Sequence, residues 1–90
     1  MAKKPRYVRC KVSTGFFENE FYVTLEGSSA FIDRSNVKVQ EPPYNDSEVD
    51  GEVLAYVIDE SDKQALVELP GEPVVGGLRS WIPKSQLAVA

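Results

Sequence analysis

The sequence predicts an all-β fold, a small barrel or sandwich of short antiparallel strands built from two similar β-units. Three observations predict it. No stretch sustains a helical period, while apolar and polar residues alternate along several short runs. Six prolines and six glycines punctuate the chain and keep its elements short. The segment AFIDRSNVKV, residues 30–39, returns as SWIPKSQLAV, residues 80–89. Ile32, Ser35 and Val39 return as Ile82, Ser85 and Val89, and Phe31, Arg34, Asn36 and Val37 as Trp81, Lys84, Gln86 and Leu87. Asp33 to Pro83 and Lys38 to Ala88 change character. This echo carries packing and turn residues, so it speaks of internal duplication rather than of a reactive set.

The chain reads as a single domain, residues 1–90, because a unit of roughly forty residues buries too little apolar surface to offset its ordering entropy. Its parts are a first β-unit at 6–40, a linker at 41–50 and a second β-unit at 51–90.

Residues 7–13 alternate as a strand, with Val8, Cys10 and Val12 on one face and Arg9 and Lys11 on the other. Residues 20–27 follow with Phe21, Val23 and Leu25 inward and Tyr22, Thr24 and Glu26 outward. The intervening STGFFENE supplies the Gly and Asn of a connecting turn. Ser28 and Ser29 permit a tight reversal after Gly27, residues 30–33 make a third strand, and residues 33–36 suit one helical turn. Asp, Ser and Asn favour such a turn because their short polar side chains bond to nearby backbone. Residues 37–39 then close the unit.

The linker EPPYNDSEVD contains adjacent prolines that exclude a central strand. In the second unit Val53, Ala55 and Val57 match Val8, Cys10 and Val12 at a separation of 45 residues. Residues 65–69 match 21–25 at a separation of 44, so the DESDKQ turn is one residue shorter than its counterpart. Gly71 is matched to Gly27, and six extra residues, EPVVGG at 72–77, precede the returning segment. They fit an extended loop or an added hairpin.

The residues SWIPKSQL resemble the closing box of Src-homology-3-like barrels, where an apolar residue, Pro and Ser precede a 3₁₀ turn and a last strand. AFIDRSNV is similar, with Asp33 in place of the Pro. The resemblance implies a small barrel. It does not imply binding of proline-rich peptides, because the aromatic and acidic opening motif of those members is missing and Trp81 lies inside the closing box.

Net charge is −4, yet Lys3, Lys4, Arg6, Arg9 and Lys11 crowd one end, while residues 41–62 hold eight acids and no base. The basic start lacks the apolar stretch of a signal peptide, and no run approaches the roughly 20 apolar residues of a membrane span. With a single cysteine and so no internal disulfide, a cytoplasmic location with no membrane partner is expected.

Catalysis is not expected. Histidine, the commonest general base at neutral pH, is absent. Cys10 alternates with Val8 and Val12 and answers to Ala55, which marks a small buried residue rather than a nucleophile. Lys84 and Ser85 are adjacent and would point apart in extended chain. The run from Asp46 to Gly51 starts like a calcium loop but has Val57 where a bidentate acid is needed. The expectation is no catalytic residue, no metal and no cofactor.

What remains is a non-catalytic protein-interaction or regulatory module, monomeric or weakly dimeric. Its candidate partner contacts are Phe16, Phe17, Val74, Val75, Arg79 and Trp81. For Phe16 and Phe17 the favoured reading is a lid on the end of the barrel, with ligand contact as the alternative. Leu54, Tyr56, Ile58 and Leu66 form an apolar outward face, broken only by Glu68, which is expected to be covered within the molecule. A homodimer through that face is the alternative. The competing function is nucleic-acid binding through Lys3, Lys4, Arg6, Arg9, Lys11 and Tyr22.

Overall fold

A computed structural model of the protein describes residues 4–44 and 47–88, with Val75 described by its backbone alone. Lys3, Asp46 and Val89 lie outside the described residues.

The fold is all-β. Among the described residues eight strands run in the order β1 (Lys4–Thr14), β2 (Glu20–Leu25), β3 (Ser28–Asp33), β4 (Val37–Lys38), β5 (Val49–Glu60), β6 (Gln64–Glu68), β7 (Gly71–Val75) and β8 (Arg79–Pro83). Single 3₁₀ turns, Arg34–Asn36 and Lys84–Gln86, follow β3 and β8. Every pairing is antiparallel, in one curled sheet ordered β7-β3-β2-β1-β5-β6-β8, with β4 added to β5. Among the described residues no helix is long and apolar enough to cross a membrane.

The period-two alternation decides the core. Val8, Cys10 and Val12, Phe21, Val23 and Leu25, Val53, Ala55 and Val57, and Ala65, Val67 and Leu69 are all buried on the inner face, where Ala30, Ile32 and Ile82 join them. Removing such a side chain from water contributes about 1.5–3 kcal/mol for each Val, Leu, Ile or Phe.

The two units lie back to back across β1 and β5, whose ladder is centred on the pair Val8 and Val53. On either side of that pair the register is mirrored, Cys10 facing Gly51 as Arg6 faces Ala55. The outer ladders agree residue for residue. Phe21 faces Ile32 as Ala65 faces Ile82, and Tyr22 faces Phe31 as Leu66 faces Trp81. Both 3₁₀ turns are held alike, Arg34 N–H donating to the Asn19 carbonyl at 2.9 Å and Lys84 N–H to the Lys63 carbonyl at 2.9 Å. Each unit also gives its closing segment to the other. Val37 of β4 pairs with Val53 of β5, while Leu87 bridges to Val8 and Ala88 N–H donates to the Tyr7 carbonyl at 2.8 Å. Neither unit is complete without the other, which is the physical reason for one shared core.

Asp33 shows how the 3₁₀ turn is made. Its carboxylate accepts from the Ser35 hydroxyl at 2.7 Å and the Ser35 N–H at 2.9 Å. These bonds, the hydroxyl's above all, hold the Asp33 carboxyl below its usual pKa. Pro83 stands at the same point of the second unit with no side-chain cap, its φ of −60° close to the −57° of Asp33.

Four details differ from the expectations. The linker is shorter than 41–50, because Val49 and Asp50 already pair with Val12 and Lys11. Ile58 is an unpaired bulge residue, since the β5–β6 register shifts between Val57 and Asp59. The partner of Gly27 (φ 74°) by register is Gly77 (φ 75°), so the six extra residues are 71–76 rather than 72–77. Those residues are an ordered strand: β7 leaves the second unit and pairs with β3 of the first, Phe31 facing Glu72 and Ile32 facing Gly71.

Candidate interaction surface

The outward residues of the strands carry the surface chemistry. Phe31 and Trp81, which the echo suggests are packing residues, instead point outward because they alternate with the buried Ile32 and Ile82. Each has an apolar or aromatic neighbour across the ladder, Tyr22 beside Phe31 and Leu66 beside Trp81.

The two outward pairs have different surroundings. On the first unit Phe31 sits in an aromatic cluster, with Phe16 at 5.1 Å and Tyr22 at 5.3 Å between ring centres. The Tyr22 hydroxyl donates to the Ser29 hydroxyl at 2.7 Å. Phe16 and Phe17 remain 83% and 70% exposed, so neither lids the barrel as expected. The β1–β2 turn holds them outside, since Glu20 N–H donates to the Phe17 carbonyl and the Glu20 carboxylate accepts from Phe16 N–H.

On the second unit Trp81 is 43% exposed. Leu66 faces it, and the same outer face continues along β5 with Ile58, Tyr56 and Leu54, all half-buried, with Tyr7 across from Leu54. None of Leu54, Tyr56, Ile58 and Leu66 is exposed, so the face is partly covered within the molecule, with Trp81 the exposed residue on it; the extra residues do not supply that cover, because β7 pairs with β3 instead. Arg79 approaches Glu68 at 3.9 Å on the same face. Val74, 49% exposed, lies on β7, at the opposite end of the strand order from β8 and Trp81. The expected contacts therefore form separate groups: Phe16 and Phe17 at one turn, Val74 and Val75 on β7, and Arg79 and Trp81 on β8. Leu66 belongs beside Trp81, and the outward alternation of β6 was the signal for it.

Two of the basic residues, Arg9 and Lys11, face acids. Lys11 is paired with Asp50, whose hydrogen bond and charge raise the ammonium pKa. Arg9 faces Glu52 across the β1–β5 ladder. Lys38 stands 4.0 Å over the Tyr7 ring. Arg6 turns inward, its Nη2 donating to the Ala88 carbonyl at 3.1 Å, while Nε is buried without a hydrogen-bond partner among the described residues. Lys4 is exposed at the start of β1.

An open cleft of about 1110 Å³ lies where β1 parts from β2, with Cys10, Leu25, Val39 and Ile82 among its walls. Its charged lining mixes Arg9, Lys11 and Lys38 with Glu26, Glu41, Asp50 and Glu52. Burial, and secondarily the charges of Glu52 and Asp50, push the Cys10 thiol up to about 12. It stays a protonated thiol at neutral pH and is a poor nucleophile. Native Cys10 is expected to resist iodoacetamide at about pH 8 and to react fully once urea exposes it; rapid alkylation of the folded chain, followed by mass spectrometry, would contradict this placement. Among the described residues no group of three or more His, Cys, Asp or Glu is placed to hold a metal ion.

Comparison with protein-family models, with curated proteins and with solved structures found no match.

Proposed function

We propose that the protein is a non-catalytic protein-interaction module of the cytoplasm that meets its partner through the outer face of the second unit, around Trp81 and Leu66. One observation carries this reading. Both units place an aromatic at the same outward register position, where core packing does not call for one, and on the second unit that aromatic is left uncovered. Apolar surface of this kind, with the charged Arg79 and Glu68 beside it, is what recognition surfaces present at low cost in side-chain entropy.

We also read the two units as copies of one ancestral β-unit, and the fold as Src-homology-3-like. Support comes from the agreeing registers and from the strand, 3₁₀ turn, closing segment order found at Arg34–Asn36 and again at Lys84–Gln86. The buried thiol of Cys10 suits a reducing compartment.

Nucleic-acid binding is the second reading, and the clustered rings of Phe16, Phe31 and Tyr22 favour it. Against it stand the carboxylates beside Arg9 and Lys11, which offset the charge that phosphate contacts require.

The test is an affinity capture from native cytoplasm with and without nuclease, using the protein and its Trp81→Ser/Leu66→Ser variant. Both substitutions lie on the outer face and leave the buried residues in place, so the variant should stay folded at a cost of about 2–3 kcal/mol, checked by far-UV circular dichroism. Nuclease-resistant partners should be lost with the variant; equal recovery by both forms would remove this face from the reading.

A further inference from the structure

We infer that the free edge of β8 takes up an extended, acid-bearing segment of the partner protein as an added strand. This rests on the protein-interaction reading and gives its binding mode.

The argument starts from the mirrored ladders. β3 and β8 occupy the same place in their units, each the outermost strand of its hairpin. The second unit sends its six extra residues across to β3, where β7 satisfies the outer edge over Ser29–Ile32. The first unit has only Glu26 and Gly27 in its corresponding turn and sends nothing back. The geometry for such a return is in place, for the β2–β3 turn lies beside β8, where the Ser80 hydroxyl donates to the Glu26 carbonyl at 2.6 Å. The β8 edge that answers to the β7-covered edge of β3 therefore has no strand on it among the described residues.

Hydrogen-bond alternation identifies the groups that face outward from that edge. Leu69 N–H donates to the Leu78 carbonyl at 2.8 Å, closing the β6–β8 ladder. In an antiparallel ladder, bonded pairs recur every second residue. Val67 with Ser80 and Ala65 with Ile82 are then the bonded pairs, and the backbone N–H and C=O of Arg79 and Trp81 point away from β6. Unpaired strand groups of this kind are a template for another chain. Pro83, without an N–H, ends the edge.

β7 shows the chemistry of the occupant. Its sequence is Gly-Glu-Pro-Val-Val, with Glu72 opposite Phe31. At the equivalent position on β8, an acid opposite Trp81 lies diagonal to Arg79, within reach of its guanidinium. Arg79 now has Glu68 at the long distance of 3.9 Å. A second copy of this chain pairing through its own β8 would bring no acid, because Arg-Ser-Trp-Ile-Pro contains none. The occupant is accordingly a segment of another protein.

The test supplies the β7 sequence as a peptide capped at both ends and flanked by serines, alongside a version with lysine for its glutamate. Amide exchange of the intact protein is followed by NMR. With the acidic peptide in excess, exchange at Arg79 and Trp81 should slow by at least about tenfold, with Ser80 and Ile82 unchanged. The lysine peptide and an Arg79→Pro protein, which lacks an edge N–H but keeps Trp81 and Leu66, should give no slowing. Unchanged exchange at Arg79 and Trp81, or equal protection by both peptides, overturns the inference. So does protection that rises with protein concentration alone, which would assign the edge to self-association. Native partners retained by Arg79→Pro but lost by Trp81→Ser/Leu66→Ser would leave the face and remove the edge; loss with neither variant would remove the face itself.

Discussion

Val53→Asp leaves the chain largely unfolded at neutral pH. Val53 is fully buried and lies at the mirror point of the fold, flanked by Val8 on β1 and Val37 on β4. An uncompensated buried charge costs about 3–5 kcal/mol, and loss of the valine's burial adds about 1.5–3 kcal/mol. The sum is comparable with the total stability expected of ninety residues, about 5–14 kcal/mol at 0.05–0.15 kcal/mol per residue. Val53→Ala, which only removes methyl groups, should cost about 1–3 kcal/mol and remain folded. The sign of the pH effect follows from burial. The new carboxyl is more basic in the folded than in the unfolded state, so the destabilisation grows as pH rises above the unfolded value near 4 and is relieved below it. Far-UV circular dichroism against urea and pH measures all of this. A Val53→Asp midpoint equal to that of Val53→Ala would show that Val53 does not sit in a dry centre.

The second large effect separates two neighbouring glycines of nearly identical conformation. Gly76 and Gly77 have φ of 74° and 75°, a region that costs a non-glycine residue about 1–2 kcal/mol. A Cβ on Gly77 meets nothing within 4 Å, whereas one on Gly76 falls 1.9 Å from the Gly27 carbonyl oxygen. Gly77→Ala should therefore cost about 1 kcal/mol, and Gly76→Ala about 2–4 kcal/mol, because backbone rather than a side-chain tip must shift. The extra loss should be local. The amide of Phe31, which faces β7, should exchange faster in Gly76→Ala than in Gly77→Ala, while that of Ile32, which faces β2, should not. Equal urea midpoints for the two variants would mean that β7 does not close against β3.

The inner face was legible because alternation translates directly into burial. Val8, Val12, Val23, Val53 and Val67 are all fully buried, and a one-residue slip would have turned every one of them to solvent. The surface was less legible for the same reason. Alternation places Phe31 and Trp81 opposite Ile32 and Ile82, but their bulk and their recurrence make them look like core. The apolarity of Phe16 and Phe17 suits a lid, yet the Glu20 bonds to the turn hold them outside. The match of Gly71 to Gly27 rested on order along the chain, whereas the conformation of Gly77 decides it.

By itself the sequence determined the all-β class, the strand faces and the composition of the core, because these depend on local period and on residue type at single positions. Tertiary structure alone decided three things: that β7 crosses from the second unit to cover β3, that β4 and Leu87 are exchanged between units, and that among the described residues no strand lies on the outer edge of β8, beside the exposed Trp81. Each is a contact between residues far apart in sequence, set by which unsatisfied backbone edges the curled sheet brings within reach of one another, and no local pattern records that.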